Sequence, residues 1–218
     1  MDTLDMMDNA HKADDANGDL FSAAQRGEVG RVTALLAAAD TREITVQEEM
    51  HGALQIAIRN DFPAVVRVLC AAGAQFGLAT HHIRFRFQPI HLAASVGSAS
   101  CIAEFASHVQ ISARACDSFL DSPLHWACRC AHADAIRELL AAKARVGDYN
   151  NHWNTPLDVA VFFGHARCVK VLVASRLEKR VLEWAIHQGR YCKDRRGRIS
   201  SLLDRALRLH TQSAKTVE

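Results

Sequence analysis

The feature that most constrains this chain is an internal repeat. Four segments line up: GALQIAIRNDFPAVVRVLCAAGA from Gly52, QPIHLAASVGSASCIAEF from Gln88, SPLHWACRCAHADAIRELLAAKA from Ser122 and TPLDVAVFFGHARCVKVLVAS from Thr155. A fainter copy, GDLFSAAQRGEVGRVTALLAAA, begins one equal step upstream at Gly18. A period of roughly 34 residues marks supersecondary units that cannot bury an apolar face alone and gain a core by stacking on their neighbours.

Each copy carries the same local instructions. A small polar residue followed by proline opens a helix, as at Ser122-Pro123 and Thr155-Pro156: an N-cap, then a residue whose missing N–H is no loss at N1. The first helix is short and rich in alanine (Leu92-Ala93-Ala94, Trp126-Ala127-Cys128), so its backbone can approach a neighbour closely. A glycine turns the chain at its end in three copies (Gly27, Gly97, Gly164). The second helix places apolar residues at helical spacing, as in Val65, Val66, Val68, Leu69 and Ile136, Leu139, Leu140.

QPIHLAASVG, SPLHWACRCAH and TPLDVAVFFGH resemble the ankyrin-repeat signature TPLHLAA-x-x-G-H. The resemblance spans about residues 18–175 as five repeats starting near 18, 52, 88, 122 and 155. It implies an all-α solenoid of antiparallel helix pairs joined by β-hairpin loops, whose partner meets the hairpin tips and the exposed, concave face of the first helices. It also implies that His91 and His125 brace neighbouring loops, each with the polar residue three positions earlier. Copy two departs from the pattern, with Gln55 in place of His and Asp61-Phe62 in place of Gly-His; copy one, lacking both Pro and His, suits an N-terminal cap. Beyond Ser175 the register fails. RVLEWAIHQGR (180–190) echoes a first helix, and ISSLLDRALRLH (199–210) reads as an amphipathic helix, so 176–210 is expected to be a degenerate helical cap and 211–218 a tail without fixed structure.

Composition agrees and narrows the function classes. Apolar residues make up 49% but aromatics only 6%, which favours packed helices over a sandwich or barrel. No apolar run approaches the length of a membrane span, and the N-terminus lacks the apolar stretch of a secretory signal. Seven cysteines, an odd number lying mostly within helical stretches, suit a reduced intracellular compartment, cytoplasmic or nuclear. Residues 1–17 form an acidic arm, expected to lack fixed structure; counted through Asp19, it holds six aspartates against Lys12. From Arg176 onward eleven Lys/Arg face five Asp/Glu, so the C-terminal end is basic.

Chemistry-bearing patterns are few. His125-x-x-Cys128-x-Cys130-x-His132 supplies metal-type side chains, but three of the four share the helix face that the repeat needs for packing while Cys130 points elsewhere. No phosphate loop, dinucleotide fingerprint or nucleophile elbow is present. The sequence therefore assigns no catalytic, cofactor or metal residue, and the chain is expected to act as a monomeric, non-catalytic adaptor or scaffold that binds another protein.

The candidate contact residues are those that folding leaves over. Arg84, Phe85, Arg86 and Phe87 lie in a loop three residues longer than the family length; Phe119, Leu120 and Asp121 form the next tip; His152, Trp153 and Asn154 the one after. Phe162 and Phe163 are adjacent on a helix, about 100° apart, so both cannot face inward. Arg129 completes the set. Trp153 occupies the place of a glycine, giving up easy access to φ > 0 to set a large ring at the tip. A runner-up reading uses the basic segment Arg190, Lys193, Arg195, Arg196 and Arg198 to hold an acidic partner or a nucleic-acid backbone within a larger assembly.

Overall fold

The computed structural model describes residues 19–74, 88–107, 116–175, 179–189 and 197–215, in two compact units, Met1–Leu78 and Ala79–Glu218. The described residues hold twelve helices and no strand. No helix among them is long and apolar enough to cross a membrane.

The first unit contains α1 (Leu20–Gln25), α2 (Val29–Ala38), α3 (Ile44–Arg59) and α4 (Pro63–Ala71). Asp19 caps α1 by accepting a 2.7 Å bond from the Ser22 N–H. α1 packs on α3 and α2 on α4, with Ala23, Ala24, Ala53 and Ala57 fully buried where the first helices meet. Copy two was expected to open near Gly52, yet α3 begins two turns earlier, at Ile44. The reason is local. Ala53 stands where copies three to five carry proline, so nothing bars Gly52 from the helical region and the helix runs back through what would be a tip. Gln47, on this extra stretch, is buried and donates to the carbonyls of Thr41 and Gly73.

The second unit contains α5 (Pro89–Val96), α6 (Ala99–Ser107), α7 (Pro123–Arg129), α8 (Ala133–Ala141), α9 (Pro156–Phe162), α10 (Ala166–Val173), α11 (Lys179–Gly189) and α12 (Arg198–Lys215). The short helices α5, α7, α9 and α11 form one layer, each packed on the next, and α6, α8, α10 and α12 form the other. The pair after Ser175 thus extends both layers by one repeat: Val181, Leu182 and Ala185 face inward from α11, and Ile199, Leu203 and Ala206 from α12. α12 continues to Lys215, well into the segment expected to be a tail, because TQSAK contains neither glycine nor proline to stop it.

Gln88, Ser122 and Thr155 open α5, α7 and α9 through capping boxes with proline at the first turn. The turns between paired helices are locked from the next repeat. At Gly97 the backbone has φ +82°, and an added Cβ would overlap the His132 ring, 2.8 Å from its Cε1 and closer still to Nδ1. That ring is fixed, since its Nε2 meets the Ser95 carbonyl at 3.0 Å. His165 repeats the contact one unit on, 3.1 Å from the Arg129 carbonyl. In the first unit the Phe62 ring fills the same place, 3.2 Å from a Cβ on Gly27. Gly73, with φ +82° also, has no atom of the described residues within 4 Å of such a Cβ. Gly97→Ala should therefore lose about 2–4 kcal/mol, left-handed strain plus overpacking, whereas Gly73→Ala loses only the strain, about 1–2 kcal/mol. Urea denaturation of the two variants measures the difference.

Candidate functional site

The tips of the second unit are tight turns built on a side-chain amide or carboxylate. In the first, the Asp117 Oδ1 accepts the N–H groups of Phe119 and Asp121 at 2.8 and 2.9 Å. In the second, Asn150 Oδ1 accepts those of His152 and Asn154, both at 3.0 Å. Two backbone bonds close each turn: Asp117 N–H to the Asp121 carbonyl and Leu120 N–H to the Asp117 carbonyl, both at 3.1 Å, and Asn150 N–H to the Asn154 carbonyl at 3.0 Å with Trp153 N–H to the Asn150 carbonyl at 2.9 Å. The β-hairpins implied by the resemblance are thus reduced, among the described residues, to turns too tight for a ladder. Adjacent tips are joined where Asn151 N–H donates to the Phe119 carbonyl at 2.9 Å.

Beneath the tips lies a buried polar network. Asp121 receives Arg129 Nη2 on Oδ2 and Asn150 Nδ2 on Oδ1, each at 2.7 Å. The Arg129 guanidinium sits over the Trp126 ring, 5.2 Å from its centroid, and the Trp126 indole N–H donates to Asp117 at 3.0 Å. Asp121, expected among the contact residues, is therefore corrected: it is buried and both of its oxygens are engaged in holding two tips together. Arg129 is partly exposed and serves the same brace.

His125 behaves as the resemblance implies. Its Nδ1 accepts the Ser122 N–H at 3.1 Å and lies 2.8 Å from the Ser122 hydroxyl. The neutral ring must then carry its proton on Nε2, which reaches the Asn154 carbonyl of the next tip at 3.0 Å. His91 takes the equivalent cap, accepting the Gln88 N–H at 3.0 Å. In the fifth copy Asp158 replaces histidine. Its Oδ2 accepts the Thr155 N–H at 2.8 Å and the Thr155 hydroxyl at 2.7 Å, so the cap survives without a reach to a following tip. Burial pushes the Asp158 carboxyl above its ordinary range, against the two Thr155 bonds.

The apolar residues divide by position. Trp153 is 75% exposed, Phe162 59%, Leu120 47% and Phe119 46%, with Phe163 less so. Phe162 and Phe163 meet edge to face at 5.2 Å, and Phe163 stacks on His165 at 6.0 Å. Tyr149, itself exposed, lies 6.3 Å from Trp153. His152 is exposed and Asn154 half-buried. The glycine-like geometry at the tips is retained: Trp153 has φ +58° and Leu120 φ +57°. Trp153 thus accepts the left-handed conformation instead of giving it up.

Arg84, Phe85, Arg86 and Phe87 lie outside the described residues, as do Arg190, Lys193, Arg195 and Arg196; Arg198 is exposed at the start of α12. Among the described residues no three of His, Cys, Asp or Glu are grouped to hold a metal ion. Cys128 and Cys168 are fully buried; burial drives the Cys128 thiol far up and the Cys168 thiol to about 11, so both stay protonated and apolar. Sequence reasoning missed Trp184, which is half exposed and stacks on His187 at 6.2 Å. The signal was present: in QPIHLAAS-type register, Arg129, Phe162 and His187 share the eighth place, and Trp126 and Trp184 the fifth. Asp117 and Asn150, one repeat period apart, could have been found in the same way.

The cap makes stability depend on pH. Burial holds the His125 pKa below its ordinary value, outweighing the Asn154 carbonyl and the carboxylates of Asp121 and Asp148, which favour the cation. A proton on Nδ1 would oppose the Ser122 N–H. Stability from the neutral ring is complete above the unfolded-state pKa of about 6.5 and is lost as pH falls below it. Urea midpoints at pH 7.5 and 5.5 should therefore differ more in the natural chain than in His125→Asn.

A family model described as ankyrin repeats, in three copies, matches residues 54–150 and 90–183, together more than half of the chain. No curated protein matches it.

Proposed function

The chain belongs to the ankyrin-repeat family, and on that premise we propose that it is a non-catalytic adaptor or scaffold. It binds another protein through the tips and the first-helix face of its fourth to sixth repeats. The contact set is Phe119, Leu120, Trp153, Phe162 and Phe163, flanked by His152, Arg129 and Trp184. The loop residues Arg84 to Phe87 extend the set on sequence grounds.

One observation carries the reading. Two bulky apolar residues, Leu120 and Trp153, hold the left-handed backbone that glycine would adopt freely, with Trp153 largely and Leu120 about half exposed. Such strain costs about 1–2 kcal/mol per residue, and at Trp153, three-quarters exposed, little burial offsets it. Large exposed aromatics and arginine are the side chains that anchor protein interfaces. The bonded tips hold them in place beforehand, which lowers the ordering entropy lost on docking. Free thiols buried in the core support a reducing compartment, cytoplasm or nucleus.

Binding and stability separate cleanly at Trp153. Trp153→Gly should leave Tm unchanged or raise it by up to about 3 °C, since relief of strain offsets the entropy of glycine. The same change with Phe162→Ala should abolish retention of the natural partner in affinity capture quantified by mass spectrometry. Undiminished capture by a stably folded double variant would overturn the reading.

A further inference from the structure

The first helices of the second unit repeat one another place for place. Pro123, Leu124 and Ala127 of α7 are buried, as are Pro156, Leu157 and Ala160 of α9. Val181, Leu182 and Ala185 take the same places in α11. Two places beyond each alanine stands a side chain that this packing does not use: Arg129, partly exposed, then Phe162 and His187, both exposed. Because α7 packs on α9 and α9 on α11, these residues form a row. It advances by one helix per step, about 8–10 Å.

That step selects the backbone of a chain lying along it. A β-strand returns a side chain to one face every second residue, about 7 Å, or every fourth, about 13 Å, and matches neither way. A polyproline II segment does so every third residue, about 9.3 Å, and fits. An α-helix would need every seventh residue, about 10.5 Å. It would also bury a continuous apolar stripe, whereas this row offers one separate anchor per step. Its second anchor is the Phe162 ring and its third the Trp184 ring stacked on His187, flat surfaces that suit proline and aliphatic side chains.

Charge sets what lies at each end. Arg129 gives Nη2 to Asp121 and, among the described residues, makes no other hydrogen bond; its Nε is buried and unbonded. Asp121 cannot offer more, since its other oxygen holds Asn150. The guanidinium therefore has donors left for a second carboxylate. At the far end Glu183 is exposed on α11 and would repel one.

We propose that this face of α7, α9 and α11 binds a proline-rich segment in the polyproline II conformation. An acidic residue meets Arg129, and apolar residues at the next two steps of three meet Phe162 and the Trp184–His187 stack. The assignment rests on the reading that the first-helix face binds a protein, and it names the chemistry of that protein. A segment already extended in solution loses little order on docking.

Fluorescence anisotropy of the full chain with labelled synthetic peptides tests this. The probe is a proline-rich peptide with glutamate, proline and leucine spaced every third residue; the control has the same composition with those three on alternate residues. The probe should bind with a Kd of about 10–300 µM. Replacing its glutamate by lysine should weaken it at least about fivefold, and Phe162→Ala in the protein at least about tenfold. The charge is reversed in the peptide because a change at Arg129 would also release Asp121. No saturable binding of the probe at about 1 mM, equal binding of the control, or preference for the lysine form would overturn the proposal. So would tighter binding of a helical peptide with the same three side chains seven residues apart. If the probe fails while the Trp153/Phe162 double variant still loses the natural partner, the face binds a protein of other chemistry and only the present proposal falls.

Discussion

The second unit depends on polar side chains that reach from one repeat into the backbone of the next. His125 spans from its own cap to the Asn154 carbonyl, Asn150 from its own turn to Asp121, and His132 and His165 back to carbonyls at Ser95 and Arg129. Stacked helices alone fix a distance between repeats but leave sliding and rotation soft. Buried hydrogen bonds remove that freedom, because any shift strands a donor or acceptor out of water at a cost of about 1–3 kcal/mol each. The register of the stack is therefore set by bonds whose partners lie a full repeat apart in sequence.

The same network explains how the tips tolerate strain. Asp117 and Asn150 each hold two backbone N–H groups, and Asn151 ties one tip to the other. A turn so heavily bonded can keep Leu120 and Trp153 in a backbone region they would otherwise leave. The exposed rings are consequently displayed on a rigid base formed by Trp126, Asp121 and the partly exposed Arg129.

The repeat, its helices and its proline caps were legible from periodicity, because Pro, Gly and alternating apolar positions act locally. The bracing role of His125 and the capping role of His91 followed from the family resemblance. What resisted reading were features that depend on a neighbour. Asp121 looks like any tip residue until Arg129 and Asn150 close on it. α3 overran its expected start because the missing proline at Ala53 is a weak signal in isolation. α12 outran its expected end because helix stops are read from glycine and proline, and TQSAK has neither. Trp184 was hidden by the broken spacing after Ser175, although α11 continues the layer of α9. Phe119 and Trp153 stood out because no position of the repeat calls for their rings.

The central claim is that the tips are rigid before any partner arrives, and amide exchange of the free chain measures that directly. The N–H groups of Phe119, Asp121, Asn151, His152 and Asn154 should exchange as slowly as those in the middle of α7 and α9, although they lie in exposed turns. Exchange at the rate of an unstructured loop would contradict the account, since the aromatic residues would then have no fixed base to stand on.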